Sequence, residues 1–229
     1  MMGDRNVFQG LCGEAKELFS LLQKKGPLTK NDLILMTGMK LTSMNRVMQP
    51  LEEQKLIVEM GIGESSGGRK PVLYDVNPSR HYAIGIDISR IYTQVVITNL
   101  KMKIVFKKQF LMTQAFTPIR TVEAISELIH NALQQLVISK SSVIGVGLGT
   151  IGPMNREEGV VLNPRNFSAV SWLNVPIRQM LEQALDLPVL IDNGANTAVL
   201  AELLFGCGRD YKNIAYFNCG IGIRTGAIS

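Results

Sequence analysis

Between Thr29 and Leu51 the chain has little choice but to form two short helices joined by a sharp turn. Thr29 and Asp32 stand at the spacing where a threonine hydroxyl caps free amides while the carboxylate reaches back to the cap's own N–H. A helix is therefore predicted from about Lys30 to Thr37. Gly38 ends it, and a second helix begins near residues 41–43, with Met44, Val47, Met48 and Leu51 recurring at i, i+3, i+4 and i+7 as a buried stripe. Thr42, Ser43, Asn45, Arg46 and Gln49 are left on the opposite face. A helix, a turn containing Gly, and a second helix that starts with small polar residues and Arg form the layout of a DNA-reading helix-turn-helix. A pair of merely solvated helices gives the same pattern. Pro50 removes one helical hydrogen bond and should bend or restart the helix after Gln49.

The flanks suit a winged version of that motif. Upstream, Ala15, Leu18, Phe19 and Leu22 repeat at helical spacing, and Gly26-Pro27 ends that helix. Downstream, Leu56-Ile57-Val58 and Val72–Val76 read as two strands around a Gly- and Ser-rich hairpin tip. In the tip, Arg69 and Lys70 follow Gly67 and Gly68, where a bare backbone can approach a phosphate. Residues 1–80 are thus expected to form one module. Its net charge is only +2 of the chain's +5, but Lys24, Lys25, Lys30, Lys40 and Arg46 face a single carboxylate, Asp32, between residues 24 and 46. Local clustering of this kind matters more to phosphate contact than the total.

The remainder, with hydrophobic residues at 46% of the 229-residue chain, can bury a proper core. YAIGIDIS, TQVVITNL and KIVFKKQFL are three β-rich runs separated by tight turns, the pattern of successive hairpins. A helix follows at about residues 119–137, then a buried strand over residues 143–148 that runs into GLGTIGP. A helix near 175–185, a strand over 188–191 and a helix over 195–205 complete an α/β layer with mixed pairing. No apolar run spans a membrane, and Asp4 and Asn6 interrupt any signal peptide, so a cytoplasmic protein is expected. Cys12, Cys207 and Cys219 are scattered and odd in number, which indicates buried thiols rather than disulfides or a zinc site. His81 and His130 have no partner at ligand spacing and read as a surface residue and a helix-face residue. Trp172 is expected to pack.

Five ordered segments, YAIGIDIS, GLGTIGP, NPRNFSAVSW, LPVLIDNGANTAVLAELLFGCG and NIAYFNCGIGIRTGAI, together resemble the ROK family of sugar kinases and transcriptional repressors. With the winged helix in front, the chain looks like regulators of the NagC/XylR type. The resemblance implies a fold of class α/β: an N-terminal winged helix-turn-helix, an actin-like (RNase H-like) ROK first lobe over residues 81–213, and only the opening strands of a second lobe over residues 214–229. Those strands are expected to form an exposed apolar hairpin that depends on a partner.

The same resemblance argues against kinase chemistry. The family's kinases turn from the first strand through Asp-x-Gly-Gly-Thr, whose amides meet ATP phosphates. Here the chain reads Asp87-Ile88-Ser89-Arg90-Ile91. The kinases also carry Asn-Asp-Ala-Asn, with Asp as general base, whereas this chain has Asn193-Gly194-Ala195-Asn196. Of the second phosphate loop Gly220, Gly222 and Gly226 survive, with Arg224 intruding. The family's Glu-x-x-Gly-His and Cys-rich zinc segments have no counterpart, so no catalytic residue, metal or cofactor is expected.

The expected role is DNA-binding transcriptional regulation, as a repressor of sugar-related genes. Thr42, Ser43, Asn45 and Arg46 would meet base edges, Lys30 and Lys40 would hold phosphates, and Arg69 and Lys70 would act from the wing. The partners implied are an operator duplex and a second copy of the chain. A sugar or sugar-phosphate effector would be lined by Gly149, Asn166 and Asn193, although those residues equally serve as turn formers. The alternative is an ATP-dependent sugar kinase.

Overall fold

In the computed structural model, residues 7–62, 71–220 and 223–229 are described. They divide into two compact units, one of residues 1–82 with 99–103, the other of residues 83–98 with 104–229.

The first unit is built on three helices, α1 (Gly13–Lys25), α2 (Lys30–Thr37) and α3 (Leu41–Glu53). The predicted apolar stripes face inward: Ala15, Leu18 and Leu22 of α1, Leu33 of α2 and Met44, Met48 and Leu51 of α3 are all fully buried. A three-stranded antiparallel sheet completes the core, in the order β1 (Leu28–Thr29), β3 (Val72–Val76), β2 (Ile57–Ile62). The two-residue β1 escapes sequence reading because nothing in Leu28-Thr29 separates a strand from a helix approach.

Of the two outcomes expected at Pro50, a restart is overturned, since α3 continues as one helix through Pro50 to Glu53. Pro50 lies in the final turns, where its missing N–H costs the single bond to the Arg46 carbonyl and the buried Leu51 holds the remaining turn in place.

A partly buried ion pair also belongs to this unit. Lys101 Nζ lies 2.8 Å from Asp75 Oδ1, with the side chains 25% and 9% exposed. Gln23 donates through Nε2 to the carbonyl of Leu100 at 2.6 Å. Gly26 packs so closely that an added Cβ would strike the Asp75 carboxylate and the Leu22 carbonyl. Removing the carboxylate leaves an ammonium with little water around it. Asp75→Ala should therefore destabilise the first unit by about 2 kcal/mol in urea unfolding, a loss discounted from that of a fully buried pair. A change under about 0.5 kcal/mol would mean that the pair is surface-like.

The second unit carries a five-stranded sheet in the order β10 (Val189–Asn193), β7 (Val143–Thr150), β4 (Tyr82–Ile88), β5 (Tyr92–Asn99), β6 (Ile104–Leu111). β10 runs parallel to β7, whereas β5 and β6 are antiparallel, so the pairing is mixed as predicted. Alternation along β4 buries Ile84, Ile86 and Ile88. α4 (Pro118–Gln135) covers the core with Val122, Ile125, Ile129 and Leu133, and packs against α5 (Ile177–Leu185). Between them in sequence, β8 (Met154–Asn155) and β9 (Val160–Val161) form a small antiparallel pair too short to be read from pattern. Trp172 is buried, donates to the carbonyl of Phe116 at 3.0 Å and meets Phe167 edge-on. α6 (Gly194–Phe205) then leads to a hairpin of β11 (Ile214–Cys219) and β12 (Ile223–Ile228). Gly226 sits against the carbonyl of Ala195, so this hairpin is seated on α6, while Phe217 and Ile223 remain exposed.

Two further expectations are overturned. All three thiols are exposed rather than buried, because they fall at element edges. Cys12 caps α1, Cys207 follows α6, and Cys219 ends β11. His81, expected at the surface, is 7% exposed, since it stands just before β4 where the chain enters the sheet.

Candidate nucleic-acid interface and cleft

The predicted capping box exists in full. Thr29 accepts from the Asp32 N–H, and the Asp32 carboxylate accepts from the Thr29 N–H at 2.8 Å and its hydroxyl at 2.7 Å. These hydrogen bonds, the hydroxyl's first, hold the Asp32 carboxyl below the usual carboxylate range. Gly38 ends α2 at φ 71°, a left-handed cap that suits glycine, with its N–H bonded to Ile34 at 2.8 Å. The direction of α3 is thereby fixed by local chemistry.

On α3, Thr42, Asn45, Arg46 and Gln49 are exposed and Ser43 is half-buried; Lys40, at the N-cap, is exposed. Lys30 is less free than expected. Its Nζ donates to Asn45 Oδ1 at 3.0 Å and lies 5.2 Å from the Tyr74 ring centroid, so it braces one edge of the polar face. Arg46 reaches Glu14 at 3.8 Å, with side chains 77% and 54% exposed, a contact that water and salt readily release. Leu35, Met36 and Leu41 are also exposed on α2 and α3. Sequence reading missed them, because apolar residues in a short helix are assigned inward by default. Arg69 and Lys70, the predicted wing cations, lie outside the described residues, as does Gly222.

In the second unit the ends of β4, β7 and β10 converge. Register pairs Asp192 with Gly149 and Asn193 with Thr150. A Cβ on Gly149 would lie 2.9 Å from Thr197 Oγ1 and 3.7 Å from Asp87 Oδ1, and one on Gly194 would lie 3.6 Å from the same carboxylate. Burial raises the Asp87 carboxyl above its usual range, with Arg224 opposing the shift. Asn193 is committed to capping α6, accepting from the Ala195 N–H at 2.9 Å. Asp192 is engaged as well: one oxygen accepts from Asn196 at 2.9 Å and the other faces Arg156 at 3.3 Å. Asn166 is exposed at φ 54°, and among the described residues no hydrogen bond joins it to Gly149 or Asn193. Of the predicted sugar wall, the paired strands β7 and β10 bring Gly149 and Asn193 together.

The mixed sheet with its helices and strand-end cleft defines an actin-like α/β lobe. The ROK family model matches residues 83–229, and the chain belongs to the ROK family. A xylose repressor of Bacillus subtilis is 28% identical over 213 residues, covering 93% of this chain and 54% of the repressor. Among solved structures, a ROK family transcriptional regulator, a homologue of the E. coli MLC protein, superposes with a TM-score of 0.69 at 22% identity, over 93% of this chain and 53% of its own. A ROK hexokinase from Thermus thermophilus superposes at 0.54 with 26% identity over 64% of this chain and 46% of its own. The chain spans about half the length of the curated repressors it matches.

Proposed function

We propose that the chain is a sugar-linked transcriptional regulator, most simply a repressor, whose first unit is a winged helix-turn-helix that binds operator DNA. One observation carries this reading: an alignment of 213 residues with a repressor is too long to fit within residues 83–229 and must take in most of the first unit. The hexokinase match, by contrast, covers only the share of the chain that the ROK segment itself occupies. The reading places α3 in the major groove, with Arg46 directed to guanine, Asn45 to adenine, and Thr42 and Ser43 alongside. Lys40 holds a phosphate. Lys30 orients Asn45 and contacts phosphate once that bond is exchanged, and Arg69 and Lys70 contribute from the wing. A cytoplasmic homodimer on a pseudo-palindrome follows by analogy with regulators of this layout. The wall of Gly149 and Asn193, with Asn166 as the resemblance implies, is the candidate effector surface.

Catalysis is not part of the proposal. Gly194 offers no base, and Asp192, the nearby carboxylate, is spent on Asn196 and Arg156. Sugar-dependent ATP turnover by the chain should stay at background with glucose, xylose and N-acetylglucosamine. Robust turnover lost in Asp192→Asn would establish a kinase instead. The regulatory reading itself is tested by fluorescence anisotropy on duplexes recovered from the host's sugar operons: nanomolar binding at physiological salt supports it, and equal affinity for every duplex opposes it.

A further inference from the structure

One apolar side chain stands among the polar groups at the tip of α3. Leu41 is the first residue of that helix, and it is 56% exposed. It comes three residues before the buried Met44 and four before the exposed Asn45, so it sits on the border between the apolar stripe and the polar face. Side chains on a helix lean toward its N-terminus, and that of Leu41 therefore projects past the start of α3 rather than onto the core. Lys40, just before it, is exposed and makes no capping hydrogen bond through its side chain, and Thr42, just after it, is exposed as well. The tip of the helix carries a cation, a branched hydrocarbon and a hydroxyl, in that order.

Contacts already in place fix where this tip stands. The left-handed cap at Gly38 sets the direction in which α3 starts, and the Met44 N–H closes the first turn on the Lys40 carbonyl at 2.9 Å. One turn further along the same edge, Lys30 holds Asn45 through a 3.0 Å hydrogen bond. A leucine held in water at such a point stabilises nothing in the free chain, but it gains the transfer free energy of any apolar surface that covers it. The floor of the major groove offers one such group, the C5-methyl of thymine, and the N-terminal residues of a recognition helix are those that meet base edges.

We infer that Leu41 is a specificity-determining residue that reads the C5-methyl group of a thymine beside the base pair met by Asn45. The inference rests on the proposed placement of α3 in the major groove and adds to it a base that hydrogen bonding alone does not select. The polar side chains of this face can donate to the O4 acceptor of thymine, but guanine presents acceptors too. The methyl group separates the two bases, and an apolar contact is what senses it.

The test uses the full chain and a duplex that it selects from a random pool, with binding followed by fluorescence anisotropy against a scrambled duplex. Each thymine of one half-site is replaced in turn by deoxyuridine, which lacks only the methyl group. At one position the replacement should weaken binding about fourfold, the effect of uncovering a single methyl group. Leu41→Ala should bind the parent duplex more weakly by about the same factor or more and should no longer distinguish thymine from deoxyuridine at that position. Its thermal unfolding should be unchanged, because the side chain is exposed. Leu35→Ala, which truncates an exposed leucine on α2, should keep the full distinction, as should Thr42→Ser, which removes the other methyl group at the tip. Selective binding with no methyl-sensitive thymine overturns the inference and leaves the DNA reading standing. So does a methyl sensitivity that survives Leu41→Ala or is lost in Leu35→Ala or Thr42→Ser. A chain that selects no duplex over the scrambled one overturns both.

Discussion

Replacing Arg46 with alanine should lower affinity for the preferred duplex by roughly 10- to 100-fold while leaving the chain's thermal unfolding unchanged. The magnitude is that of one bidentate guanidinium contact to a base edge, about 1–3 kcal/mol. The absence of a stability effect follows from the free state, in which Arg46 is largely exposed and its contact with Glu14 is long and solvated. Specificity should fall with affinity, because discrimination at the contacted position disappears while phosphate contacts persist. Lys40→Ala should instead weaken all duplexes by a similar factor and flatten the salt dependence by about one counterion. Competition binding with the preferred and scrambled duplexes separates the two patterns. An Arg46→Ala protein that binds as tightly and as selectively as the parent would remove α3 from the interface.

Leu51→Ala should have the opposite profile, losing stability first and DNA binding as a consequence. Leu51 is fully buried on α3, next to the equally buried Met44 and Met48. Truncating such a side chain removes its transfer free energy and leaves a cavity, together about 3 kcal/mol. A small unit has little reserve to absorb that loss. Denaturant unfolding should show an earlier transition assigned to the first unit, and DNA binding should return at lower temperature, where the folded fraction recovers. A stable Leu51→Ala chain that still failed to bind would mean that Leu51 contributes to the interface rather than to the core.

The sequence was most legible where local chemistry alone decides structure. The Thr29–Asp32 cap, the Gly38 stop and the Met44, Val47, Met48, Leu51 stripe need no tertiary information, and the structure carries all three. The hairpin of β4 and β5 was equally open to reading, because both strands alternate and the turn between them is short. What stayed hidden depends on neighbours far along the chain. β1 exists only because β3 pairs with it, and the burial of His81, just ahead of β4, has no signature in the residues beside it. Thiol burial was misjudged for a related reason: composition says what cysteine tends to do, whereas its place at the end of an element decides what it does here. At the site, spacing identified the exposed face of α3 correctly but not the Lys30–Asn45 bond across fifteen residues. The meeting of Arg90 and Arg224 at the lining of one cavity was visible in the sequence only as two departures from a glycine pattern, and it required the hairpin to be folded.

The most direct measurement is selection of duplexes by the full chain from a random pool, followed by sequencing of the bound fraction. The account predicts enrichment of a recurring motif with two related half-sites, and loss of that enrichment with Arg46→Ala. A bound pool indistinguishable in sequence from the input, at a salt concentration that suppresses non-specific contacts, would contradict it.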